Sequence, residues 1–97
     1  MKKLVFTWDP AKAAINQRKH GVSFEEARSS FYDDNARLEH DLDHSDDEDR
    51  FILLGISSKL RILVVCHCYR ASDAEIRLIS ARKATKKERK QYEEFLS

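Results

Sequence analysis

Two arginines and a histidine, Arg50, His67 and Arg77, stand at positions that a simple strand register would align. A two-residue turn at Ser58 and Lys59 pairs Ser57 with Leu60 and sets Arg50 opposite His67. A three-residue turn at Ala71, Ser72 and Asp73 pairs Arg70 with Ala74 and sets His67 opposite Arg77. Directly paired residues share a sheet face, so the three would form one row across three strands. Two cations flanking a histidine are costly unless an anion, a phosphate or a nearby carboxylate, sits among them. The competing arrangement pairs Arg50 or Arg77 with Glu75, Glu39 or Asp49 at a sheet edge, and a one-residue slip would disperse the row.

The chemistry open to such a row is attack on a phosphodiester. Cutting RNA needs a base for the ribose 2′-hydroxyl, an acid for the leaving 5′-oxygen, and cations to stabilise charge gathering on phosphorus. No metal or cofactor is required, and none is expected. His67 is the acid-base candidate, since flanking arginines lower a histidine pKa and favour its neutral, base-competent form. Arginine grips phosphate through a forked pair of donors, which positions the group as well as stabilising it. Arg82, Lys83 and Lys86 would extend the basic surface along an RNA backbone, and Tyr69, on the His67 face, could stack a base.

Other constellations are weaker. His40, Asp41, Asp43 and His44 in "HDLDHSDDED" are metal-ligand types. The segment lacks the glycine and terminal glutamate of a calcium loop, and H-x-x-x-H outside a helix does not aim both rings, so it reads as a charged loop. Ser57, Ser58 and Ser80 have no acid-base partner by spacing. Two glycines are too few for a glycine-rich nucleotide loop. By spacing alone Lys19-His20-Gly21 is a helix C-terminus, where cations complement the dipole. Cys66 and Cys68, on one strand face with Ile62 and Val64, read as buried free thiols of a reducing compartment.

The elements that must hold these residues follow from caps and alternation. "LVFTW" at 4–8 reads as a strand, and Asp9-Pro10 caps a helix that His20-Gly21 should stop. Ser23 with Glu26 fits a capping box opening a second helix through Phe24, Ala27 and Phe31, and "ARLEH" suggests a strand. "RFILLGIS", "LRILVVCHCYR" and "EIRLISAR" are β-rich, and Thr85 with Glu88 caps a last helix carrying Tyr92, Phe95 and Leu96. The expected order is β-α-α-β-β-β-β-α in a single α+β domain over residues 1–97, without repeats or linker. There is no signal-peptide pattern or bilayer-length apolar run, so a cytoplasmic protein with no membrane partner is expected.

A formal net charge of +1 conceals a strong separation along the chain. Residues 33–49 hold nine acids against Arg37, whereas residues 76–90 hold seven bases against Glu88. The acids read as a solvated loop too polar to fold alone, while the basic cluster can bind a polyanion whatever the total.

Three segments together, "FTWDPAKAAINQRKHGVSFEEA", "DHSDDEDRFILLGIS" and "RLISARKATKKERKQYEE", resemble the BrnT family of type II toxin–antitoxin toxins over almost the full chain. The resemblance implies a RelE-like α/β fold, a small antiparallel sheet with helices packed on it, acting as a ribonuclease that blocks translation and growth. It implies a cognate BrnA-type antitoxin, operator DNA contacted only through that antitoxin, and an RNA substrate, free or ribosome-associated. It supports Lys19 and His20 of K-H-G, Arg50 of E-x-R-F, and Ser80 and Arg82 of I-S-A-R, and makes His20 the rival of His67 for the acid-base role. A non-catalytic nucleic-acid-binding module using the same basic surface is the alternative, and a protein-interaction domain built on the acidic segment is a third.

Overall fold

The computed structural model describes residues 3–45, 48–70 and 74–96. The elements are β1 (Val5–Thr7), α1 (Pro10–His20), α2 (Phe24–Ser29), β2 (Arg37–His40), β3 (Phe51–Ile56), β4 (Ile62–Arg70), β5 (Glu75–Lys83) and α3 (Lys86–Phe95). Short 3₁₀ turns at Ser30–Tyr32 and Leu42–His44 flank β2. The five strands form one sheet in the order β1-β5-β4-β3-β2. The sheet is mixed rather than antiparallel: β1 runs parallel to β5, with Val5 opposite Glu75 and Thr7 opposite Arg77. The helical connection through α1 and α2 carries the chain away after β1, so its later neighbour arrives in the same direction.

The helix ends follow the sequence cues. The Asp9 carboxylate accepts from the Ala11 amide at 2.8 Å, Pro10 opens α1, and Gly21 closes it at φ 69°. Thr85 and Glu88 form a complete capping box on α3. The box at α2 is only half made. Ser23 accepts from the Glu26 amide at 3.1 Å, but the Glu26 side chain turns inward to the β3–β4 hairpin. There it accepts from Ser57 Oγ at 2.7 Å and from Arg61, whose guanidinium also donates to the Gly21 carbonyl at 3.1 Å. Arg61 holds this buried carboxylate below the usual range against the opposing effect of burial.

Helices α1 and α2 cover one face of the sheet. Alternation on the strands sends Leu53, Leu63, Val65, Ile76, Leu78 and Ala81 to that face, where they enclose Val22, Phe24 and Ala27. Gly55 lets the 3₁₀ turn come close, since a Cβ there would lie 2.9 Å from the Ser30 carbonyl oxygen. One side chain completes the junction of α1 with β5. Buried Asn16 accepts from the Ala81 amide at 3.0 Å and donates to the Ala81 and Val22 carbonyls at 2.9 and 3.0 Å. Its amide thus replaces a strand neighbour along the stretch of β5 that β1 is too short to cover.

Two details of the ladders overturn the expected row. The β3–β4 loop contains three residues, not two: the Ser57 amide bonds the Arg61 carbonyl, and Leu60 takes the left-handed conformation at φ 60°. His67 therefore faces Phe51 rather than Arg50. The β4–β5 ladder starts with Arg70 opposite Glu75 rather than Ala74, which sets Leu78 opposite His67 and Arg77 opposite Cys68; beyond these pairs a bulge near Ile79 shifts the register by one further residue. The turn expected at 71–73 lies outside the described residues, and the last pair before it is Arg70 with Glu75.

Candidate active site

The sheet face away from α1 and α2 is only partly covered. Glu88 and Gln91 of α3 lie over Ile52, Leu54 and Val64 at one end, and the Arg37 guanidinium sits 4.7 Å from the Phe95 ring centroid. Buried Tyr92 anchors the helix by donating to Asp33, whose carboxylate also accepts from the Ile56 amide at 2.8 Å. Beyond α3 the face opens into a groove of about 240 Å³ lined by Asp41, His44, Arg50, Cys66, Ser80 and Arg82. Ile79 and Ser80, at the β5 bulge, also line an adjoining hollow of about 200 Å³ with Lys12, Lys19 and His20 of α1. Ile79 and Ser80 thus border both the hollow at the K-H-G helix end and the groove that holds the arginines.

Within the groove the two arginines differ. Arg82 is clamped by Glu88 in a bidentate pair, Nη1 to Oε1 at 2.8 Å and Nη2 to Oε2 at 3.0 Å. The guanidinium holds the Glu88 carboxyl at about 2, overcoming its partial burial, with the Thr85 cap contributing further. Arg50 makes no ion pair among the described residues. Its backbone is fixed instead, with its amide donating to Ser45 Oγ at 3.1 Å and its carbonyl accepting from the Asp41 amide at 2.8 Å. A partly buried arginine with no carboxylate partner among the described residues is primed for an external anion.

The groove gathers Arg50, Ser80 and Arg82, with Lys19 and His20 beside them. It does not gather the rest. His67 is fully buried on the helix-covered face, 4.8 Å from the Phe31 ring centroid. Its Nδ1–H donates to the Val65 carbonyl at 3.1 Å, which assigns Nε2 as acceptor from the Tyr69 hydroxyl at 3.4 Å. The positional argument for His67 as acid or base therefore falls: the register turns it into the core. Tyr69 packs on Phe51 and His67 on that same side, away from the groove. Arg77 lies outside the groove lining, paired in register with Cys68 and Thr7. Lys83 and Lys86 are exposed at the strand end and helix start. Burial raises the Cys66 and Cys68 thiols above their ordinary value, consistent with protonated, structural side chains. Among the described residues no cluster of three or more histidine, cysteine or acidic side chains is arranged to hold a metal ion.

Burial of His67 has a consequence for acid stability. Loss of solvation pushes its pKa down to about 4, with its bond to the Val65 carbonyl opposing. In the unfolded chain it titrates near 6.5, so between these values the unfolded state binds the extra proton. The contribution is full above pH 6.5 and is lost as pH falls through about 4. Denaturant unfolding of the wild type should show about 2 kcal/mol lost to this group between about pH 7 and pH 4.5. His67→Phe should lack that component, and equal pH dependence in the two proteins would contradict the assignment.

The chain has a small mixed sheet with α1 and α2 on one face and, on the other, α3 beside a groove that holds Arg50 and Arg82, and residues 8–88 match the family described as "Ribonuclease toxin, BrnT, of type II toxin-antitoxin system". The chain belongs to this BrnT family. A family of this kind implies an antitoxin partner and an RNA substrate. The 1.1 Å crystal structure of the Brucella abortus ribonuclease toxin BrnT shares the fold, with a TM-score of 0.62 at 23% identity over 89% of this chain and 100% of that one. No curated protein matches the sequence. Among the described residues no helix is long and apolar enough to cross a membrane.

Proposed function

We propose that the chain is an endoribonuclease that cuts RNA without a metal ion, by attack of a ribose 2′-hydroxyl on the adjacent phosphorus. The observation that carries this reading is the Arg50 guanidinium, free of ion pairs among the described residues, in one groove with Ser80 and Arg82. Arg50 holds the scissile phosphate and stabilises the charge that builds on it. Arg82 assists, once the phosphate competes with Glu88 for its fork. His20, on the far side of Ser80, delivers a proton to the leaving 5′-oxygen, and Lys19 neutralises the neighbouring phosphate. Arg77, Lys83 and Lys86 extend the basic surface along the backbone.

In the cell this activity would inhibit translation and growth from the cytoplasm. A BrnA-type antitoxin would neutralise it, and operator DNA would be contacted through that antitoxin. The fold fits a RelE-like toxin of one domain. A binding module that leaves RNA intact uses the same surface and is the reading to defeat.

Incubation of antitoxin-free protein with labelled RNA in excess EDTA, free and on translating ribosomes, separates the two. Fragments ending in 2′,3′-cyclic phosphate are expected. RNA that is bound in a salt-sensitive way but stays intact in both settings would leave only the binding module.

A further inference from the structure

His44 and Asp41 form a pair that the cleavage reading has not used. The two oxygens of Asp41 lie 3.0 and 3.2 Å from His44 Nδ1, so the ring's Nδ1–H donates to the carboxylate and Nε2 is the nitrogen left to exchange a proton. Asp41 is 9% exposed, whereas the His44 side chain is 66% exposed and lines the groove with Arg50, Ser80 and Arg82. The pair is braced against the phosphate-binding arginine itself. The Asp41 amide donates to the Arg50 carbonyl, and Ser45 Oγ both donates to the Asp41 carbonyl and accepts from the Arg50 amide. An ordinary surface pair is different: His40 and Asp49, 3.3 Å apart nearby, are both exposed.

We propose that His44, oriented by Asp41, is the general base of RNA cleavage. This rests on the ribonuclease reading above. With the phosphate against Arg50, His44 Nε2 takes the proton of the 2′-hydroxyl. The oxygen's electron pair forms the new bond to phosphorus, and the bond to the 5′-oxygen breaks with its electrons. That oxygen leaves with a proton from His20, so the products are a 2′,3′-cyclic phosphate and a 5′-hydroxyl. Asp41 is a positioning residue, holding the tautomer that keeps Nε2 unprotonated.

The test compares wild type, His44→Ala, Asp41→Asn and His40→Ala of the full chain on 5′-labelled RNA, free and on translating ribosomes, with thermal unfolding recorded for each. His44→Ala should lower kcat by about 10²-fold or more with KM nearly unchanged, and added imidazole should restore part of the rate. Asp41→Asn should lose about 10-fold, while His40→Ala cuts like wild type. A His44→Ala protein that cuts normally, or one impaired in KM alone and deaf to imidazole, overturns the assignment. Wild-type protein that leaves both RNA substrates intact overturns the cleavage reading and this assignment with it.

Discussion

Arg50→Ala is expected to lower RNA cleavage about 10²- to 10³-fold while the protein keeps its fold, the loss typical of removing one preorganised donor from a developing oxyanion. The fold should survive because the Arg50 side chain makes no ion pair among the described residues and its backbone bonds to Asp41 and Ser45 remain. Arg50→Lys should recover only part of the rate, since a point charge replaces the fork that holds two phosphate oxygens. Arg82→Ala is a less direct probe because it also strands the Glu88 carboxylate at the start of α3. Single-turnover cleavage, with circular dichroism as the folding control, measures the effect. A rate for Arg50→Ala within a few-fold of wild type would remove Arg50 from the chemistry.

The largest loss of stability is expected at Asn16. Asn16→Ala leaves the Ala81 amide and the carbonyls of Ala81 and Val22 without their buried partner. At about 1 kcal/mol or more for each abandoned group the expected loss is roughly 3 kcal/mol, or about 15 °C in Tm for a domain of this size. Asn16→Asp should be no better, because it keeps an acceptor but gives up both donors and adds a buried charge. Urea unfolding with an unchanged m-value would show a true stability loss. A change below about 1 kcal/mol would mean that the edge of β5 finds water or other partners. The same substitution should loosen α1 against Ile79 and Ser80, so cleavage should suffer even where most of the chain stays folded.

Local chemistry was readable in the residues; register was not. Asp9-Pro10, Gly21 and Thr85 with Glu88 carry their capping roles in their own types, because each cap satisfies backbone groups within a few residues. The separation of His67 from Arg50 and Arg77 depends on two facts without such a signature: that Leu60 takes a left-handed conformation in a three-residue loop, and that the β4–β5 ladder begins with Arg70 opposite Glu75. Each moved the pairing by one residue, which is enough to turn a side chain to the other face. Motifs point to Arg50, Ser80, Arg82, Lys19 and His20 without any need of register, and these residues line the groove and the hollow that adjoins it. The acidic segment resisted sequence reading for another reason. Counted as charge it is a solvated loop, yet Asp33 supports β3 and α3, and Asp41 grips His44, through contacts that a charge count does not reveal.

The position of β1 bears on when the protein can become dangerous to the cell that makes it. Among the described residues β1 pairs with β5 alone, the strand furthest from it in sequence, so Val5 must wait for Glu75. Contacts this distant in sequence form late, after the intervening chain has been ordered. Ser80 and Arg82 arrive on that same final strand. A chain that stops before β5 therefore lacks both the partner of β1 and one wall of the groove, and is expected to cut no RNA. Order of synthesis therefore assembles the groove only once β5 has been made, which gives a newly made antitoxin time to meet it.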